Sequence, residues 1–317
     1  MKKNILILCL VGFLATTFAM PAQAADYPED PIELIVAYSA GGGTDTGARM
    51  LTKVATKYIP QPLVVVNKPG AGGEIGFTAL AKAKPDGYTI GFINPPSTVL
   101  LPLMRKTGYQ MSDFKFIINI VLDPGLLAVR ADSPFKTLDD FIKAAKAKPG
   151  TLSISNAGVG SDAHMSIIDF AQKAGIKVNP VPFKGAAPAR TAALGGHVDA
   201  VVMKVGETKT YVQSKQARVL AVMSDKRVKE FPDVPTFKEK GMDVIMAASR
   251  GIAGPKAMPD SVAKYLHDKL KKTIEDPEFI AMMNKTGIGI SYMGPEEYKK
   301  FCDQLLKTYG PLWKQAK

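Results

Sequence analysis

Apolar positions in this chain fall into short continuous runs separated by stretches with helical spacing. The runs at 33–38, 63–67, 89–93, 116–121 and 125–130 are short and rich in β-branched residues, so they predict buried strands. Further runs at 152–155, 178–183, 200–203, 219–223 and 244–247 continue the series. Between them, segments 44–58, 137–147, 161–174 and 188–194 predict helices. Segments 260–273, 277–286 and 295–314 then make the C-terminal part helical. Such alternation predicts an α/β fold with parallel sheets covered by helices on both faces.

Two places depart from the regular pattern. The apolar residues of 117–130 form a double run interrupted by Asp123-Pro124-Gly125, and 244–254 has the same character. Each reads as a strand that leaves one sheet and enters another. Two crossings predict one domain from 25–123 plus 248–317, a second from 124–247, and a cleft between them.

The N-terminus follows a different logic. Lys2 and Lys3 precede an apolar run from 5 to about 15, and Ala22-Gln23-Ala24 forms a small-x-small cleavage site. This predicts a signal peptide, 1–24, cleaved after Ala24, and a periplasmic destination. Cleavage removes two of the 41 Lys and Arg and none of the 29 Asp and Glu, lowering the net charge from +12 to +10. The excess lysines are scattered along helices such as 141–148, without aromatic interleaving, which argues against nucleic acid. Cys302 alone would remain after cleavage, so no internal disulfide can form.

Chemistry concentrates at two glycine loops. Ser39-Ala40-Gly41-Gly42-Gly43-Thr44-Asp45 joins the first strand, which ends at Tyr38, to the first helix. Helix-start N–H groups lack internal partners and favour an anion, and glycines let a ligand approach the backbone closely. The plainer reading is a βα turn with Thr44 or Asp45 as N-cap. The loop is neither a P-loop nor a dinucleotide fingerprint. A side chain at Gly42 is expected to fill the anion's place. Asn156-Ala157-Gly158-Val159-Gly160-Ser161 repeats the arrangement before the helix that carries His164. In open parallel sheets ligands sit beyond the carboxyl ends of strands, so the two loops would hold an anion from both sides.

Catalytic candidates are few. Ser161 and His164 share a helix face, but Asp162 is expected to point elsewhere and no Gly-x-Ser-x-Gly elbow occurs. No catalytic residue, metal site or cofactor is therefore expected; zinc spacing and calcium loops are missing from the sequence. Lys184 ends a strand, and Arg250 interrupts an apolar run, where it is either a rim charge or a cleft group for a carboxylate.

Motifs spread over nearly the whole chain resemble one family. They include Gly41-Gly42-Gly43-Thr44-Asp45, Asn67-Lys68-Pro69-Gly70-Ala71-Gly72-Gly73 and Lys84-Pro85-Asp86-Gly87-Tyr88-Thr89. Gly158-Val159-Gly160-Ser161, Pro182-Phe183-Lys184-Gly185-Ala186, Gly195-Gly196-His197-Val198-Asp199-Ala200 and Phe231-Pro232-Asp233-Val234-Pro235-Thr236 follow in order. Together they resemble the extracytoplasmic solute receptors of tripartite tricarboxylate transporters, the Bug receptors. The resemblance implies a two-domain type II periplasmic binding protein fold, parallel-sheet lobes with a ligand cleft between them. It also implies a monomer, without enzymatic activity, that hands a di- or tricarboxylate to a permease of one large and one small membrane subunit. Carried onto this chain it points to Ala40, Gly42, Gly43, Thr44, Asp45, Gly158 and Ser161, with Ser97 after the third strand. Tyr38, Asn156, His164, Lys184, Asp199 and Arg250 complete the candidate set. Two departures bear on the ligand: Ser39-Ala40 stands where family members often have Pro, and Ser249-Arg250-Gly251 lacks the aromatic of a related Trp-Arg-Gly. An exported carboxylate sensor is the alternative, and a hydrolase built on Ser161 and His164 the rival class.

Overall fold

The structure, a computed structural model, describes residues 27–315. The signal-peptide segment 1–24 lies outside the described residues. Along the chain run β1 (Ile32–Val36), α1 (Gly43–Ala55), β2 (Leu63–Asn67), α2 (Glu74–Ala81), β3 (Thr89–Ile93), α3 (Ser97–Met104) and β4 (Phe114–Arg130). Then follow α4 (Leu138–Ala147), β5 (Ser153–Asn156), α5 (Asp162–Ala174), β6 (Asn179–Pro182), α6 (Ala186–Leu194), β7 (Ala200–Lys204), α7 (Val205–Gln213) and β8 (Ala217–Met223). β9 (Ala247–Pro255), α8 (Asp260–Glu275), α9 (Pro277–Thr286), β10 (Ile290–Met293) and α10 (Pro295–Gln315) complete it.

β1 pairs in parallel with β2 and β3, and β5 pairs in parallel with β6 and β7. These are the two parallel groups that the alternating pattern predicts. Buried strands of this kind read as continuous apolar runs because both faces are covered. On α1, Leu51, Val54 and Ala55 recur at helical spacing and are buried with Leu34, Val36 and Phe92 in one core. A second core joins Leu126, Ala128 and Val222 to Ala189 and Ala193 of α6. Each fully buried Leu, Ile or Phe side chain contributes about 1.5–3 kcal/mol.

The crossings correct the all-parallel expectation. β4 does not break at Asp123-Pro124-Gly125 but continues for 17 residues. Its first half pairs antiparallel with β9 and β10, its second half with β7 and β8. Both sheets are therefore mixed, and β4 alone runs through both; β9 pairs only with β3 and β4 in the first sheet, which corrects the expectation of a second strand shared between sheets. The last apolar run also shifts: the strand is Ala247–Pro255, not 244–247, and Arg250 sits inside it opposite Val121.

Four elements are missing from the sequence pattern. α3 is apolar on all sides and contains Pro102, α2 contains Gly76, and α7 follows β7 without a connecting turn. β10 is only half-buried and four residues long. Each lacks the periodicity that marks the others.

Candidate functional site

The crossing strands meet the helix starts at a cleft enclosing about 40 Å³. That exceeds the roughly 10–15 Å³ needed by one buried water. Tyr38, Gly42, Gly43 and Thr44 line one side, with Asn94 after β3. Ala157, Asp162 and Ala163 at the start of α5, and Lys204 and Glu207 at the start of α7, line the other; Ala248 and Arg250 come from β9.

A buried charge network forms its floor. Arg250 is 3% exposed, so it is a cleft group and not a rim charge. Its Nη1 donates to Asp123 Oδ2 at 2.8 Å, and its Nη2 to Glu207 Oε1 at 2.8 Å. Asp123 Oδ1 accepts the Gly206 N–H at 3.2 Å, at the positive end of α7. Glu207 Oε1 also accepts the Gly43 N–H at 3.1 Å. The charge of Arg250 is opposed by burial, but Asp123 and Glu207 outweigh that and raise its pKa. Burial pushes the Glu207 carboxyl up, with Arg250 only partly offsetting it. Lys204 pairs with Asp162. Two cations thus face three carboxylates.

Of the sequence candidates, Tyr38, Gly42, Gly43, Thr44 and Arg250 line this cleft. Tyr38 donates its hydroxyl to Gly72 O at 3.1 Å. Gly42 is the N-cap of α1 without any side-chain cap, which corrects the expectation of Thr44 or Asp45 in that role. Thr44 Oγ1 accepts from Asn94 Nδ2 at 3.1 Å, and Asp45 folds back onto Gly41 N–H, Asn67 and Arg49. Burial works against the Asp45 charge, but Arg49, the Gly41 N–H and Asn67 together pull its pKa down. Gly42 also has ordinary extended angles (φ −81°, ψ 168°), and a Cβ there would have room. The intolerant position is Gly43, where a Cβ would lie 2.3 Å from Glu207 Oε1 and 2.5 Å from Arg250 Nη2.

The other candidates stand behind or away from the cleft walls. Ser97 Oγ accepts the Asp162 N–H at 2.8 Å and so positions a wall residue. Asn156 Oδ1 accepts the Gly158 N–H, and His164 Nδ1 the Gly160 N–H. Ser161 is fully buried and its Oγ accepts the His164 backbone N–H at 3.2 Å. It is a helix cap, and the imidazole faces Gly160 instead of the hydroxyl, which leaves the hydrolase reading without its nucleophile–base contact. Burial lowers the His164 pKa. Ala40 and Lys184 are exposed; the carbonyl of Lys184 accepts the Ser39 N–H at 3.3 Å. Asp199 is taken up by Ser153 N–H and Oγ at 2.7 Å each, at the start of β5 and so at the end opposite its glycine loop.

Sequence reasoning missed Asn94, Asp123, Asp162, Lys204 and Glu207. A signal existed for three of them. Asp123 stands inside a double apolar run, as Arg250 does, Lys204 ends an apolar run, as Lys184 does, and Glu207 lies three residues further on. Asp162 does not point away from the site, because Lys204 at the end of the neighbouring strand β7 pairs with it on the cleft wall.

Among the described residues, seven buried side-chain atoms lack a hydrogen-bond partner. Asn94 Oδ1, Asp162 Oδ2, Lys204 Nζ, Glu207 Oε2 and Arg250 Nε belong to cleft-lining residues, Asp162 and Lys204 being paired with each other ionically. Ser39 Oγ and Asn156 Nδ2 lie in the two glycine loops. Unsatisfied buried groups cost about 1–3 kcal/mol each, so groups gathered at one place call for a partner.

Residues 48–317 match the family model described as tripartite tricarboxylate transporter family receptor. A Cupriavidus necator protein, the UPF0065 protein in the gbd 5' region, is 36% identical over 295 residues, covering 91% of this chain and 89% of its own. Among solved structures, the periplasmic binding protein BugD superposes with a TM-score of 0.87 at 31% identity, covering 92% of this chain and 98% of its own. An R. palustris protein solved with adipate gives 0.85 at 25% identity, over 92% of this chain and 98% of its own.

Proposed function

This chain belongs to the receptor family of tripartite tricarboxylate transporters, the Bug receptors, and we propose that it captures a small organic carboxylate in the cleft between its two sheets. The observation that carries this reading is the gathering of unpartnered buried polar atoms on cleft walls supplied by both sheets. Arg250 Nε is a donor without a hydrogen bond, and the Lys204 ammonium, paired ionically with Asp162, has further N–H groups to give. The Thr44 and Asp45 N–H groups, in the first turn of α1, have no intrahelical acceptor. A carboxylate suits these donors and the positive end of the helix. The adipate bound by the R. palustris relative has the same chemistry. Candidate contacts are therefore Tyr38, Gly42, Gly43, Thr44 and Arg250, with Asn94, Lys204 and Glu207 added.

The reading extends to the whole receptor. Export follows cleavage after Ala24, and among the described residues no helix is long and apolar enough to cross a membrane. Lobes 25–123 plus 248–317 and 124–247 close on the solute, and a monomer presents it to a permease of one large and one small membrane subunit. A ligand touching both lobes favours closure by its differential affinity for the closed state.

Thermal unfolding of ligand-stripped protein against a panel of carboxylates and their methyl esters tests this. At one hundred times its dissociation constant a true ligand adds about 2.7 kcal/mol. Stabilisation by a carboxylate and none by its ester is expected. Equal stabilisation by acid and ester, or none by any acid, overturns the reading.

A further inference from the structure

We propose that Glu207 is a built-in competitor of the solute: its carboxylate occupies the donors that a solute carboxylate would take, and gives way to it into a second cavity, toward Arg190. The inference rests on the carboxylate reading above and makes Glu207, among the contacts named there, the one that moves.

Two donors of the first lobe converge on one point. The Gly43 N–H, at the start of α1 and without an intrahelical acceptor, and Arg250 Nη2 both reach Glu207 Oε1, at 3.1 and 2.8 Å. A helix start beside a guanidinium favours a carboxylate. The carboxylate found there belongs to α7, in the second lobe. Two carboxylates cannot share that point, because like charges at contact distance disfavour each other. A solute oxygen on these two donors therefore requires Glu207 to leave.

A destination lies on the far side. Glu207 and Gly43 line both the cleft of about 40 Å³ and a second cavity of about 140 Å³, whose other walls include Arg190, Thr210, Tyr211 and Ile288. The two residues are thus a partition between a smaller and a larger space. Only Oε1 anchors the Glu207 carboxylate, since Oε2 is buried without a hydrogen bond. Arg190 is half-buried, with its guanidinium carbon 4.7 Å from the centroid of the Tyr211 ring. Among the described residues it makes no ion pair. Burial works against the Glu207 charge, and Arg190 stands close enough to be among the cations that support it. With Arg190 counted, three cations stand with three carboxylates around the partition. Lys204 is taken up by Asp162, and Arg250 keeps Asp123 at 2.8 Å when Glu207 departs. Arg190 is the cation left to receive Glu207.

Calorimetry on ligand-stripped receptor with succinate, glutarate and adipate tests the proposal. Glu207→Ala is expected to bind the best of these acids at least about tenfold tighter, since no internal carboxylate has to be displaced. Arg190→Met is expected to weaken binding at least about threefold in the otherwise native chain and to change nothing in the Glu207→Ala background. An Arg190 that merely supports the fold would weaken both backgrounds alike, and that result overturns the proposal. Unchanged or weaker binding by Glu207→Ala also overturns it and leaves the carboxylate reading standing. If neither the native chain nor Glu207→Ala binds any of the acids, that reading falls and the proposal with it. Should Glu207→Ala fail to fold, judged by circular dichroism, Glu207→Gln, which keeps the shape of the side chain without its charge, takes its place with the same outcomes.

Discussion

The first glycine loop turns its helix start toward the rest of the molecule, whereas the second turns inward. Both follow a parallel strand and open a helix. In the first, the Gly43 N–H crosses the cleft to Glu207 on α7, and the Ser39 N–H reaches the carbonyl of Lys184 beyond β6. In the second, Gly158, Gly160, Ser161 and His164 give their N–H groups to Asn156, His164, Gly158 and Ser161. The Asp162 N–H leaves that circle, to Ser97. The difference lies in capping. A serine at the N-cap satisfies its own helix, while Gly42 has no side chain to do so, and the exposed dipole end attracts a carboxylate from elsewhere. On the proposed reading, the first loop is the recognition surface and the second a support that aims Asp162.

Removing the anchor of the first loop should have the largest effect. Arg250→Met leaves Asp123 and Glu207 buried without their common partner, and breaking a buried pair costs about 3–5 kcal/mol. Urea unfolding measures it; a loss below about 1 kcal/mol would mean that Glu207 is not held against the first loop by this arginine.

Within the loop, Gly43→Ala should force Glu207 and Arg250 apart, costing about 1–3 kcal/mol and abolishing measurable solute binding. Gly42→Ala should stay within about 0.5 kcal/mol of wild type, since its Cβ approaches nothing closer than Ser39 O at 3.5 Å. Equal behaviour of the two variants in denaturation and calorimetry would erase the special place of Gly43.

The second loop should answer differently. Ser161→Ala removes a cap and should cost about 1 kcal/mol of stability, with binding weakened only as the aim of Asp162 loosens. If affinity vanishes while stability is untouched, the serine contacts the solute directly and the contrast between the loops collapses.

The smallest effect expected is a pH dependence. Burial favours neutral His164 in the folded chain, and its Nδ1 accepts from Gly160. Below its ordinary pKa of about 6.5 the unfolded chain binds a proton that the folded chain resists, so stability present above that value is lost as pH falls further. Relative to His164→Asn, wild type should lose melting temperature on acidification from about pH 7.5 to pH 5. A constant difference over that range would remove the imidazole from the loop's support.

Much of the fold is legible in the sequence because a strand buried on both faces has no polar face to show. The runs at 63–67 and 89–93 and the helix 277–286 match their elements residue for residue. That Tyr38, Gly42, Gly43, Thr44 and Arg250 face one cleft was legible through the turn chemistry around the first loop and through an arginine among apolar neighbours. Asp199 misled for the same kind of reason: it stands in a glycine-rich turn, but at the strand end away from the cleft, and a sequence does not mark which end a turn belongs to.

Local spacing and turn chemistry are enough to specify the alternation of strands and helices, the two glycine loops and the presence of a charge where the chain crosses between sheets. What those charges meet is set by the packing of the whole chain. Gly43, Asp123, Glu207 and Arg250 come from four separate segments, and the antiparallel register of β4 on β9 sets Asp123 beside Arg250. Pairing across such separations depends on which strand lies beside which, and that follows from burying the whole set of apolar faces at once. Whether a loop's amides face a ligand or their own side chains is decided at the same stage, when the opposite wall brings Glu207 to one loop and Ser97 to the other.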